Sequence, residues 1–305
     1  MNNSFEEGAR GVSEIYRFEL PVSALRAITL KHALRITLDQ ERQLEEEVGR
    51  LPARGKEVIV AQADGCFLNT VEAGRPRRGK RPRQWKEVRL CCAVAKGVNR
   101  PTYAASLEGV EETGRQWAHC AQIAGRGLNS RVHTVIDGAE WLTLQAKQRL
   151  AVGGRILLDF YHLSEYLAEA APVCRAHAPQ TWLKTQQRRL KEGRWKPVLK
   201  ELSAHLKELS AHLEEPHLPD EEAPVRRAWR YLGNRTDQLH YDEAIDQQLP
   251  IGSGIIESGH KHVLQSRLKK PGAAWLPENL EAMAQTRAAI GNDNWDKHWN
   301  AQFAE

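Results

Sequence analysis

Two strings of apolar and β-branched residues end in Asp-Gly: Val-Ile-Val-Ala-Gln-Ala-Asp-Gly over 58–65 and Val-His-Thr-Val-Ile-Asp-Gly over 132–138. A third string, Gly-Ser-Gly-Ile-Ile-Glu-Ser over 252–258, carries a glutamate where a basic helical pattern begins. Two carboxylates at strand ends and one on a helix can hold two divalent ions about 3.5–4 Å apart, the clamp for in-line phosphodiester cleavage. Asp64, Asp137 and Glu257 are therefore the candidate catalytic residues and metal ligands, with two Mg2+ or Mn2+ ions as the expected cofactor. Each has a simpler structural alternative. Asp before Gly is a common turn residue, Asp137 can cap the helix after it, and an acid near a helix start is favoured by the helix dipole. The same Asp-Gly grammar after two separate apolar runs weighs toward function.

Further residues gather around these three. Leu157-Leu158-Asp159-Phe160-Tyr161-His162 ends another apolar run, with Asp and His three apart. Asp159 and His162 are expected to support the metal ligands from behind, since a carboxylate can orient a histidine; the alternative is a helix cap with His162 in the first turn. Arg75, Arg77, Arg78, Lys80, Arg81 and Arg83 put six cations into nine residues among Pro and Gly. That loop reads as a clamp on the DNA backbone, or else as a solvated basic loop, and nothing in it reads bases. Lys261, Arg267, Lys269 and Lys270 make the stretch after Glu257 basic as well. A helix starting near Ser253 would put Glu257, Lys261, Leu264 and Leu268 on one side, with its cations against phosphates.

Other chemistry is poorly served. Five cysteines include no Cys-x-x-Cys pair, which suits a reducing cytoplasm and leaves Cys174 and His177 without partners for zinc. Ser253 lies outside any Gly-x-Ser-x-Gly elbow. No apolar run reaches the 18 residues of a membrane span, and the polar, acidic start gives no secretory signal. The chain has 305 residues, 41% hydrophobic and 27% charged, with net charge +5. That length accommodates one large domain with an insertion, or two domains.

The elements that must position these residues follow from periodicity. Residues 1–55 read as a helical segment, with apolar spacing over 22–36 and a charged stretch over 39–48. The first stretch is either half of a DNA-binding helix-turn-helix or a helix packed on the main domain. Strands are expected over 57–63, 86–95, 101–107, 131–136 and 155–158, and helices over 110–124, 139–150 and from 163. That order is the order of the ribonuclease H-like α/β fold, a mixed sheet with acids on its central strand and the neighbour. Residues 56–162 form the first part of such a core. Residues 163–248 are rich in Leu, Glu, Lys and Arg, and Lys-Glu-Leu-Ser-Ala-His-Leu occurs at 200–206 and again at 207–213. They read as an all-helical insertion, with an acidic loop over 214–224. Residues 249–305 return to the core as its last helix, with Glu257, and a tail.

The strings Gln62-Ala63-Asp64-Gly65, Val135-Ile136-Asp137-Gly138-Ala139-Glu140-Trp141, Leu158-Asp159-Phe160-Tyr161-His162 and Gly252-Ser253-Gly254-Ile255-Ile256-Glu257-Ser258 resemble DDE transposases of bacterial insertion sequences. Lys269-Lys270-Pro271-Gly272-Ala273-Ala274-Trp275 fits the same pattern, and the likeness covers about residues 56–290. The resemblance implies a ribonuclease H-like core with a helical insertion before the catalytic glutamate. It implies Asp64, Asp137 and Glu257 as ligands of two metal ions, and Asp159 and His162 as the family's Asp-x-x-His element. It implies metal-dependent DNA cleavage and strand transfer, with transposon ends and target DNA as partners. A homodimer on DNA is expected, in the cytoplasm on the nucleoid. Such transposases carry a larger N-terminal recognition region than the 50 or so residues that precede the core here, so a truncated or split element is expected. The competing expectations are a non-catalytic DNA-binding remnant and a ribonuclease H-like nuclease without strand transfer.

The basic loop gives the first prediction. Replacing Arg77, Arg78, Lys80 and Arg81 with Ala weakens DNA binding for all sequences alike. Each lost phosphate contact lowers the slope of log affinity against log salt by about 0.9. A salt titration with an unchanged slope would make the loop a solvated feature.

Overall fold

The computed structural model describes residues 4–47, 51–73, 82–150, 154–212, 219 and 222–301. Among the described residues the chain is α/β, with five strands of mixed pairing. It divides into two compact units, Met1–Arg131 with Gly254–Glu305, and Val132–Ser253. The basic residues Arg75, Arg77, Arg78, Lys80 and Arg81, and the acidic stretch 214–221 apart from Pro219, lie outside the described residues.

In the first unit, helices α1 (Phe5–Tyr16) and α2 (Val22–Glu47) precede strands β1 (Val58–Val71), β2 (Arg83–Ala95) and β3 (Thr102–Ser106), then helix α3 (Val110–Ile123). Ser4 and Glu7 form a capping box at the start of α1, satisfying backbone donors that the first turn leaves open. The strands are antiparallel in the order β3-β2-β1. Asp64 lies opposite Leu90, and Leu90 opposite Ala105.

Alternation sorts this unit's side chains onto two faces. Cys66, Leu68, Val88, Leu90, Cys92 and Ala105 enter one buried cluster with residues from the end of the chain. The opposite face takes α3, whose Trp117 is fully buried and donates its indole N–H to the Cys92 carbonyl at 3.2 Å.

The first unit's remaining helices come from beyond residue 253. Helix α10 (Gly254–Gly259) runs into a π-helical segment, His260–Gln265, and a last turn, Ser266–Leu268; α12 (Pro277–Gly291) and α13 (Trp295–Ala301) follow, the last turn being α11. Leu264, Leu268, Trp275, Leu280 and Met283 join the cluster with β1 and β2. Trp275 closes the far end of β1 through two backbone bonds, to Asn69 and Val71, at 3.0 and 2.9 Å.

The second unit contains β4 (Arg131–Ile136) from Val132 on, α4 (Glu140–Arg149), β5 (Arg155–Leu158), α5 (Phe160–Cys174), α6 (Pro179–Lys191), α7 (Trp195–His212), α8 (Pro224–Gly233) and α9 (Tyr241–Asp246). β4 and β5 are parallel, with Ile136 beside Leu158. α5 packs on α6 and α8, α7 packs on α6 and α8, and α9 packs on α6. The helices expected as an insertion from 163 thus share a compact unit with β4, α4 and β5.

Three expectations change. The strand bearing Asp64 does not end there: β1 continues seven residues further, to Val71, paired with 83–90 of β2. Cys66, Leu68 and Thr70 are buried there while Phe67 is exposed, so the alternation survives a polar interruption. Residues 22–47 are one helix instead of two stretches, and α2 lies against α12, α1 and α3. This is the packing expected of a helix docked on the main domain. The third change is the face of the helix after Glu257. Glu257 and Lys261 are exposed, whereas Leu264 and Leu268 are buried. The π turn inserts an extra residue per turn between the two pairs, so a plain α-helical wheel misassigns them.

Gln62 joins the strand to the last helices. Its side chain is fully buried, and its Oε1 accepts the Ile256 N–H at 3.0 Å. Helix starts leave such donors open. Gln62→Ala therefore strands a buried N–H, and urea unfolding should show a loss of about 1–3 kcal/mol. A loss near zero would mean that α10 does not depend on this bond.

Candidate functional site

Each candidate is described within its own unit. In the first unit, Asp64 sits at the middle of β1 on the same face as Gln62 and Cys66. Its Oδ1 accepts the Gly65 N–H at 2.7 Å. Its Oδ2 lies 3.7 Å from Nε2 of His260, and the two side chains are 42% and 6% exposed respectively. Glu257 stands one helical turn before His260, on α10.

A glycine sets how closely this helix approaches the strands. A Cβ on Gly259 would stand 2.7 Å from Cε1 of Tyr103 and 3.0 Å from Cδ2 of Leu90. Leu90 is the partner of Asp64 across the ladder. The missing side chain at 259 thus lets the chain lie on β2 and β3 just where His260 turns toward Asp64.

His260 is buried, and neither of its ring nitrogens has a hydrogen-bond partner. Burial pushes its pKa down to about 4, against a smaller opposite effect of the Asp64 backbone, and Lys269 lowers it further. The ring is neutral near pH 7. Cys66 on the same face is a buried thiol that desolvation raises to about 11, which makes it a poor nucleophile.

In the second unit, Asp137 follows β4. Its Oδ1 accepts the Ala139 N–H at 2.8 Å, an Asx turn that starts α4. Gly138 adopts φ +86°, a region where glycine is favoured. The turn is clamped from α8 and the residues after it. The Tyr231 hydroxyl donates to the Asp137 carbonyl. Arg235 donates to the Gly138 carbonyl through Nε and Nη2, at 3.0 and 2.8 Å. Desolvation raises the Tyr231 hydroxyl well above its ordinary range, so it stays a donor.

Asp159 is the N-cap of α5. It is buried, and its Oδ1 accepts the N–H groups of Tyr161 and His162 at 2.6 and 3.0 Å. Its Oδ2 accepts the Ser253 N–H at 2.7 Å. It joins the start of α5 to the Gly-Ser-Gly string. His162 is 42% exposed and lies 3.5 Å from Glu165, with its ring against Tyr166 and Tyr231.

The basic candidates separate. Arg83, Lys261 and Lys269 are exposed. Lys270 lies 3.7 Å from a Glu7 carboxylate oxygen. Arg267 is a correction of placement: it is buried, with its guanidinium 4.7 Å from the Phe5 ring centroid and 5.1 Å from that of Trp275. Its flat, weakly hydrated head suits stacking between rings, and it anchors α1.

Within the first unit, the fold thus brings His260 to Asp64. Among the described residues, no group of three or more His, Cys, Asp and Glu side chains is assembled closely enough to hold a metal ion. The residues that sequence reasoning left in the background are His260, Tyr231 and Arg235. His260 stands in the sequence directly before the basic stretch that starts at Lys261. Its spacing of three from Glu257, one turn on, was the available signal. No protein-family model matches the chain, and no curated protein does either.

His260 gives a prediction in pH. Its folded pKa lies below the ordinary 6.5, so the folded state binds fewer protons than the unfolded state between about 6.5 and about 4. The stability it contributes is fully present above 6.5 and falls as pH drops through that window, by at most about 1.4 kcal/mol per pH unit. Histidine NMR should give a midpoint near 4 for this ring. Gly259→Ala, which presses the helix away from the strands, should move that midpoint up. A midpoint near the ordinary value in the unaltered protein would contradict the burial of the ring.

Proposed function

We propose that this chain is a DDE-type transposase of a bacterial insertion sequence, cutting and joining DNA with divalent metal ions. The observation that carries the reading lies in the first unit. The helix of Glu257 is docked on β1 through Gln62, and its next turn brings His260 within 3.7 Å of Asp64. Sequence strings alone would be satisfied by three scattered acids; a dedicated dock beside one of them is harder to explain as packing. The order of the four strings along the chain supports the same reading.

The donor chemistry suits the cofactor. Mg2+ and Mn2+ favour carboxylate oxygens, and Mg2+ is commonly held by one or two carboxylates with waters and substrate phosphates filling the rest. The reading assigns Asp64, Asp137 and Glu257 to that role. When bound, such ions supply activation of water, and of a 3′ hydroxyl, for in-line attack at phosphorus. Tyr231 and Arg235 would hold the backbone that carries Asp137. Asp159 would keep the start of α5 tied to Ser253. Lys261 and Lys269, exposed on the strand-docked helical stretch, would meet phosphates. The reading includes DNA ends and target as partners and a homodimer that pairs two ends. It requires no covalent bond between protein and DNA.

A second reading is a DNA-binding chain without catalysis, which the exposed Lys261 and Lys269 would serve equally well. One experiment separates them. DNA carrying the element's own ends is incubated with protein and Mn2+, and nicked and joined products are resolved. Asp64→Asn, Asp137→Asn and Glu257→Gln should each lower nicking about a thousandfold or more. That is the scale of losing several kcal/mol of charge stabilisation at about 1.4 kcal/mol per tenfold. DNA binding without any nicking, unaffected by Asp137→Asn, would favour the non-catalytic reading. Nicking without joined products would leave a nuclease.

A further inference from the structure

We propose that His260 is a ligand of the same divalent ion as Asp64, which makes this a mixed oxygen–nitrogen site that favours Mn2+ over Mg2+. The proposal rests on the reading that Asp64 holds a metal ion, and it adds a donor that the three carboxylates do not include.

Three observations point to it. The imidazole is buried, and both its nitrogens lack hydrogen-bond partners. A buried polar group left in that state is destabilising, so it needs a reason. Second, a carboxylate oxygen stands close to the ring. Nε2 lies 3.7 Å from Oδ2 of Asp64, beyond hydrogen-bond reach. Ligand atoms about 2.1 Å from one ion are separated by about 3 Å at a right angle and about 4.2 Å when opposed. The observed gap falls inside that interval. Third, the approach is built in. Gly259 lies where a Cβ would meet Tyr103 and Leu90, and the π segment starts at His260 itself. Single π turns inside α-helices recur at functional sites.

Imidazole alters what the site selects. Carboxylates and water suit Mg2+, whereas a nitrogen donor adds affinity for transition ions. Mn2+ accepts both kinds of ligand, and Lys269 is the nearby cation whose field acts on His260.

The test uses the full-length protein and Mn2+ alone. Mn2+ affinity is measured by titration calorimetry, and pulsed electron resonance reads nitrogen coupling from a bound imidazole, with 15N-labelled histidine as the control. The expected result is a histidine-nitrogen signal, lost in His260→Ala together with about tenfold or more of Mn2+ affinity. Mg2+ affinity should change little. Bound Mn2+ that is displaced by Asp64→Asn but shows no histidine nitrogen overturns the proposal and leaves the metal reading intact. Failure of the unaltered protein to bind Mn2+ at millimolar concentration removes both. The nitrogen signal is read on the unaltered protein, so the test stands even if His260→Ala does not fold.

Discussion

The docking of one short helix on two strands governs the first unit. The Ile256 N–H meets a buried Gln62, and Gly259 lets backbone lie against Leu90 and Tyr103. A helix start offers open donors, and a strand offers few side chains able to accept them internally. A glutamine on the inward face of β1 is one solution, and the alternation of the strand fixes which residues share that face. Asp64 is two positions on from Gln62, so any group on the docked helix that reaches past the glutamine meets the aspartate. Farther along, Leu264, Leu268 and Trp275 continue the same contact into the main cluster. The cluster and the candidate site therefore share one foundation.

Much of this was legible in residue order, and the failures have physical causes. The strands expected over 57–63, 86–95, 131–136 and 155–158 follow from short apolar runs, and strands are present there. Asp64-Gly65 looked like a strand end because both residues disfavour sheets. Cross-strand pairing with 83–90 overrode that preference, and β1 runs on. The helical face after Glu257 was misread because a wheel assumes 3.6 residues per turn, and no local residue announces a π turn. Arg267 read as a phosphate-binding cation because its neighbours are lysines; two aromatic rings, one of them 262 positions earlier at Phe5, capture it instead. Long-range contacts of that kind leave no periodic trace.

The second unit shows how distant side-chain donors can make a turn rigid. Asp137 and Gly138 form a sharp corner after β4, with φ +86° at the glycine. Both carbonyls of the corner accept from Tyr231 and Arg235. Those donors lie nearly a hundred residues downstream, on and just after α8. The helices that sequence composition marks as an insertion are thus also the frame of the Asp-Gly corner. Asp159 performs a related service: a single carboxylate binds three backbone N–H groups, two at the start of α5 and one at Ser253.

The division of the chain has a temporal consequence. The second unit is one continuous stretch, whereas the first is assembled from the two ends of the sequence. During synthesis from the N-terminus, β1, β2 and β3 leave the ribosome with the inward face of their sheet uncovered. Leu68, Val88, Leu90 and Cys92 stay without most of their partners until residues beyond 254 have emerged. At about 5–20 residues per second, that interval lasts on the order of ten seconds. The nascent chain must carry an apolar sheet face through it, and the stretch from α10 to α12 ends the exposure.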